Sequence, residues 1–353
     1  MSKVTVLYTK PFTVLDDYKK LLEISEVKKH LPSQEELLLK LNLSWSLYYP
    51  ACSTEPWQLE GVLKYLKENN YNNIQAVENK TVVTNVMKGV KGNKWGPLLH
   101  KYKCPFTRLD TTEWVNYKPK HSTHALDHIF PEGHKIPKMF IGKNVLHLPT
   151  VKTHGHTTMT GAMKNAFGGL ITEKRHHSHK MIHEVLVDLL QIQKEIHPHL
   201  FAVMDGAVAG NGKGPRTMEP VEANMILASD DQVAIDAVSA KLMGFDPMKI
   251  KFIKMAHDKG LGCGDIKQIE LLGDNVTNVN LNFKTGKSPV IFFDQLLRKK
   301  MKFLEPMLFH TGFFKLFVFS SAFYHDKLWY PTVGKSKIRK FSKTPWGQLF
   351  SRY

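Results

Sequence analysis

Lys152, His154 and His156 occupy alternate positions in NVLHLPTVKTHGHTTMTGAMKNAFGGL, which runs from Asn144 to Leu170. Thr157, Thr158 and Thr160 follow, then Lys164 and Asn165. An imidazole that titrates near neutrality can transfer protons. Ammonium groups hold anions, and a neutral imidazole can also ligate a metal ion. The pattern therefore nominates His154 as acid/base and Lys164 as its catalytic companion. Lys152, Thr157, Thr160 and Asn165 are substrate contacts, and His156 orients His154 or binds a metal. Isolated lysines usually sit on solvated faces and lone histidines are usually structural, so the argument rests on the density of the cluster.

The surrounding residues suggest how the cluster is placed. Val145 to Leu148 is an apolar run that reads as a buried strand, broken at Pro149. Met159 to Phe167 has helical composition and stops at Gly168-Gly169. A strand running through a polar turn into a helix start is where α/β proteins bind ligands. The unpaired N–H groups of that helix start favour an anion.

A second signal is the strand Leu200 to Met204 followed by DGAVAGNGKGP. As a loop, its Gly210, Gly212 and Gly214 either cradle an anion or turn the chain tightly. It is neither a P-loop nor a dinucleotide fingerprint, because no Gly-Lys-Ser/Thr in it precedes a helix and Pro215 stands where a helix would start.

The remaining chain alternates strand and helix. Lys3 to Tyr8, Leu41 to Tyr48, Asn73 to Glu78, Asn224 to Ala228 and Ile266 to Leu272 read as strands. Leu15 to His30, Trp57 to Glu68, a segment ending near Tyr102, Ile182 to Ile192, Gln232 to Met243 and Pro247 to Lys259 read as helices. Thr54 suits an N-cap with Pro56 in the first turn, and Ser229-Asp230-Asp231 caps the next-to-last helix. Asp231 and Asp236 are also ligand candidates, with capping the better account of Asp231. Cys104 to Val115 reads as strand and loop. Tyr117 to Lys138 reads as a long loop bearing His121, His124, His128 and His134, and His176, His177, His179 and His183 crowd the start of a helix. The expected fold is an α/β layered sandwich with a largely parallel sheet, plus a basic aromatic C-terminal extension. Residues 1–142 would form an N-terminal lobe with a His-rich loop near 117–138. Residues 143–275 would form the lobe carrying both motifs, and 276–353 the extension.

Composition bounds the partners. The 353 residues are 42% hydrophobic and 23% charged, as in globular proteins, but the net charge is +17. Such a charge favours an anionic metabolite, membrane or nucleic acid. Only Cys52, Cys104 and Cys263 are present, so no four-cysteine zinc or iron–sulfur site can be built within the chain. Sparse cysteine fits a reducing cytosol, and the N-terminus reads as a strand rather than a signal peptide. Near the C-terminus, Arg298, Lys299, Lys300 and Lys302 precede FLEPMLFHTGFFKLFVFSSAFYH, and further bases follow. Residues 298–353 thus suit peripheral contact with an anionic membrane surface, although packing on the core or on a partner subunit is the preferred reading.

LPTVKTHGHTTMTGAMKNAFGGL, MDGAVAGNGKGP, ILASDDQVAIDAVSAKLMGFDP and GLGCGD resemble the domain-of-unknown-function family 362, over Ala51 to Gly273. The resemblance implies an association with ferredoxin-type iron–sulfur modules, which many relatives carry. This chain has no cysteine cluster, so the implied cluster would belong to a partner iron–sulfur protein. A more distant likeness is to the N-terminal domain of lactate racemase, a nickel-pincer enzyme with a histidine and a lysine spaced as His154 and Lys164 are. The leading expectation is a cytosolic enzyme acting on a small anionic substrate or organic cofactor, with a metal ion as a further option. The alternatives are a non-catalytic redox-accessory module working with an iron–sulfur partner, and an anionic-membrane or nucleic-acid surface binder. Nucleic acid is the less expected partner, because no nucleic-acid module is visible.

Overall fold

The computed structural model describes residues 1–81, 83–172, 178–290, 292 and 314–353. Its strands are β1 (Ser2–Tyr8), β2 (Leu37–Lys40), β3 (Ile74–Glu78), β4 (Phe106–Arg108), β5 (Trp114–Tyr117), β6 (His134–Pro137), β7 (Asn144–His147), β8 (Thr150–His154), β9 (Thr158–Met159), β10 (Leu200–Lys213), β11 (Thr217–Ser229) and β12 (Ile269–Gly273). Among the described residues, ten of these form one sheet in the order β12-β1-β11-β10-β7-β2-β3-β4. β8 pairs with the far end of β10, and β9 pairs with β8. Most pairings are parallel; β11 runs antiparallel to both neighbours.

Side-chain alternation along the central strands feeds two cores, as expected of strands buried on both faces. Val4, Leu38, Val145 and Met204 enter one core with the helices Ala162–Leu170, Ile182–Ile196, Gln232–Met243 and Lys251–Asp258. Leu7, Leu39, Leu146 and Val203 enter the other with the helices Val14–Ile24 and Pro56–Glu68. This is the layered α/β sandwich. Strands from either side of residue 142 share the sheet, since β7 pairs directly with β2.

Several local expectations are corrected. The second strand is Leu37–Lys40, not Leu41 to Tyr48. Trp45 and Tyr49 beyond it belong instead to a buried aromatic group with Trp329. Most of the glycine-rich stretch is not a loop: it continues β10 to Lys213, paired with β11 across a bulge between Gly206 and Val208, and only Gly214 and Pro215 enter a turn. The long segment 117–138 contains β6 and a short helix, and Asp188 accepts hydrogen bonds from the backbone N–H groups of His124, Ala125 and Leu126. His134 is buried at 6% exposure.

The described C-terminal helices, from Phe314 onward, pack against the body of the fold. Trp346 is 1% exposed, lies 5.0 Å from Trp57 between ring centroids, and donates to Asn224 Oδ1 at 2.7 Å. Tyr48 and Phe350 stack at 3.7 Å, and Asp326 accepts from the Trp45 indole at 2.6 Å. The basic run Arg298–Lys302, most of the apolar segment after it, and His176 and His177 lie outside the described residues.

Candidate functional site

β2 pairs on one side with β3 and on the other with β7, all parallel. The chain winds from β2 through β3 to β4 in one direction, and then starts again on the opposite flank with β7. The carboxyl ends of β2 and β7 therefore border a topological switch point, where open α/β sheets leave a crevice for ligands. The sequence loads that crevice with polar groups. Thr54 does not cap its helix; its hydroxyl accepts from the Asn42 N–H and donates to the Leu148 carbonyl, both at 2.8 Å, tying the two strand ends together.

Asn165 sits above this junction. Its amide donates to the Lys40 carbonyl at 3.0 Å and lies 3.3 Å from His147 Nδ1, while its Oδ1 accepts from Asn42. His147 Nε2 lies 2.7 Å from Gln193 Oε1. Asn42 also accepts from Lys152 Nζ at 2.5 Å, completing a buried polar chain from Lys152 to Gln193.

Lys152 itself is corrected. It was expected to hold an anion, but an ammonium has three donors and all three are engaged internally. They reach Asn42 Oδ1, the Cys52 carbonyl at 2.6 Å and Thr150 Oγ1 at 2.7 Å. The side chain is 0% exposed, and burial pulls its pKa down to about 8. Lys152 is therefore a positioning residue for Asn42 and Asn165. Burial also pushes the Cys52 thiol up to about 11, so it stays protonated.

The helix start is corrected in the same way. The first N–H groups of Ala162–Leu170 do not await a ligand: Ala162 donates to Asp236 Oδ1 at 2.6 Å and Met163 to Asp236 Oδ2 at 3.1 Å. The fold supplies its own carboxyl there, and burial pushes its pKa up. Gly161, at φ +122, makes room for it, since a Cβ there would stand 2.2 Å from the carboxylate.

Gly210 in β10 and Gly214 in the turn after it serve close backbone approach. Gly210 lies opposite Lys152, and a Cβ on it would meet Met218 Sδ at 2.4 Å and Lys152 Cβ at 3.1 Å. A Cβ on Gly214 would stand 1.8 Å from the Thr153 carbonyl oxygen. Thr153 donates to the Gly212 carbonyl at 3.0 Å. Thr157 and Thr160 turn inward as well, donating to the carbonyls of Met159 and Thr150.

The remaining candidates cluster at the end of β8 and on the helix after it. His154, 5% exposed, accepts from the His156 N–H through Nδ1 at 3.2 Å. Burial first, then Lys164, His156 and His179, hold its pKa well below the usual imidazole value. His156 lies 5.8 Å from His154 and stacks on His179 at 5.3 Å. Lys164 Nζ sits 5.3 Å from the Phe167 ring, which in turn contacts His179. A neutral imidazole that accepts at Nδ1 carries its proton on Nε2. His154 thus presents a hydrogen-bond donor, with the Lys164 cation close by. Among the described residues, no three His, Cys, Asp or Glu side chains gather closely enough to hold a metal ion. The sequence did not single out Asn42, Gln193 or the role of His179; their partners are distant in the chain.

The helix Ala162–Leu170, with Gly168 and Gly169 against Lys40, lies over the switch point of a layered α/β sheet, and His154 ends the strand before it. The chain belongs to the family described as Domain of unknown function (DUF362), whose model matches residues 37–241. A thylakoid-associated protein of Synechocystis is 33% identical over 122 residues, covering 33% of this chain and 37% of that protein. The match thus spans little more than a third of the relative's length. No solved structure matches the chain.

Proposed function

We propose that the chain is an enzyme that binds a small anionic substrate or organic cofactor beside the carboxyl end of β8. The observation that supports this is His154, held neutral by burial with Lys164 among its nearest charges. On this reading Lys164 supplies the positive charge. His154 Nε2–H donates to the anion, an electrophilic role a neutral imidazole can play. A bound anion favours the imidazolium, so binding draws a proton onto His154 and readies it as an acid. A metal would do the reverse and release protons. The Lys152–Asn42–Asn165 chain keeps the strand ends in register.

Calorimetry against inorganic phosphate and a panel of small carboxylates, in two buffers of different ionisation enthalpy, reads both affinity and proton count. Binding with proton uptake is expected. Lys164→Gln and His154→Leu should abolish it, while His154→Gln, which keeps a donor, should retain binding without the uptake. Full binding in His154→Leu would remove the histidine from the site. The relative's association with thylakoids supports a peripheral location at a membrane surface for this enzyme.

A further inference from the structure

Residues Phe323–Gly334 form a π-helix, in which each turn closes on the fifth residue rather than the fourth. That winding gives meaning to a spacing that neither an ordinary helix nor a strand would. Phe323, Leu328 and Val333 recur every five residues, so the π-helix lays them along one ridge. They are 46%, 50% and 43% exposed. Phe319, on the preceding helix Phe314–Ala322, extends the ridge: it is 66% exposed and stacks on Phe323 at 6.1 Å. The opposite side is committed inward, with His325 at 6% exposure and Trp329 and Tyr330 packed on Trp45.

Scattered exposed apolar side chains need no explanation, but four in one row do. The charge around them selects the occupant. Lys327, Lys335, Arg339, Lys340, Lys343 and Arg352 are exposed. The one acid between residues 314 and 353 is Asp326, held by the Trp45 indole at 2.6 Å. No helix among the described residues is long and apolar enough to cross a membrane. An apolar ridge on a segment that carries many exposed bases and one acid is complementary to an anionic bilayer, entered to the depth of the headgroup boundary.

We propose that the Phe319–Phe323–Leu328–Val333 ridge is the surface by which this protein docks on anionic lipid bilayers. The proposal rests on the peripheral location given above and adds the face and the lipid class. The full chain should co-float with phosphatidylcholine vesicles containing roughly a third phosphatidylserine, and not with phosphatidylcholine alone. Phe323→Ser/Leu328→Ser should weaken binding at least about tenfold with an unchanged melting temperature. Arg339→Gln/Lys340→Gln/Lys343→Gln should weaken it and flatten its salt dependence. If the wild type floats and the Ser variant floats equally well, the ridge is not the docking face, although the location stands. If the wild type ignores anionic vesicles, both fall. A wild-type dimer that the Ser variant abolishes, without vesicle binding, would assign the ridge to a second copy instead.

Discussion

Lys40 and Glu78 form an ion pair at 2.9 Å whose side chains are 1% and 3% exposed. They join the carboxyl ends of β2 and β3 directly beneath the helix that carries Lys164. A Cβ on Gly168 would lie 3.3 Å from Lys40 Nζ, and one on Gly169 3.2 Å from Lys40 Cε. The pair therefore sets the height of that helix over the sheet. Removing one partner leaves a buried charge uncompensated. Glu78→Gln should cost about 3–5 kcal/mol, and Lys40→Met/Glu78→Leu clearly less. Urea unfolding of the three proteins decides it; a double variant worse than the single would mean the pair is net stabilising.

Two neighbouring glycines should behave very differently. Gly214 has a carbonyl oxygen where its Cβ would go, at 1.8 Å, whereas Gly212 has φ +99 and open space around it. Gly214→Ala must displace the backbone of β8 and should cost more than about 3 kcal/mol, whereas Gly212→Ala carries only backbone strain of about 1 kcal/mol. Equal melting temperatures for the two variants would contradict the packing of β8 on β10.

Acid should destabilise the fold. Burial holds His134 near about 4, His147 near about 3 and His197 near about 4. Each contributes stability that is full above the unfolded value of about 6.5 and is lost as pH falls toward the folded value. Asp205, which accepts from Tyr18 and Trp57, has the opposite sign. Burial raises it to about 6, so its contribution is present below about 4 and lost as pH rises through 6. At pH 5 the three histidines cost about 2 kcal/mol each relative to neutrality, and Asp205 returns about 1, so the histidines win. Denaturation midpoints at pH 7.5 and 5 give the sign directly, and His197→Gln should reduce the difference.

Trp346 completes the core around Trp57. Trp346→Ala should cost about 3–5 kcal/mol. Removing residues 341–353 should cost at least as much, read as a lower unfolding midpoint or loss of cooperativity. A truncated protein as stable as the whole chain would show that the C-terminal helix is an addition rather than core.

The alternation of apolar runs with turn residues made the layered fold legible, because strands buried on both faces and amphipathic helices follow local rules. The surroundings of the candidate residues were not legible. Lys152 and His154 share β8 with Lys164 on the helix that follows, and Lys152 faces Asn42 and Cys52 from about a hundred residues away. No local spacing reports such partners. The same holds for Asp236, which takes the helix start that the sequence seemed to offer to a ligand. The glycines misled for a different reason: Gly210 and Gly212 read as a loop because glycine disfavours strands, but both lie in β10, where Gly210 gives Lys152 and Met218 the space they need, while Gly214 does turn. The ridge of Phe323, Leu328 and Val333 was invisible because its period of five matches neither regular pattern.

Among the described strands, β1 is made well before both of its partners: it pairs with Met225–Ala228 in β11 and with β12. A chain leaving the ribosome at about 5–20 residues per second carries this strand with two bare edges for roughly 10 to 45 s. Bare edges are templates for pairing with other chains. The order of synthesis thus imposes a window in which the nascent protein depends on being shielded. Slower translation, by lengthening that window, should lower rather than raise the yield of correctly paired sheet.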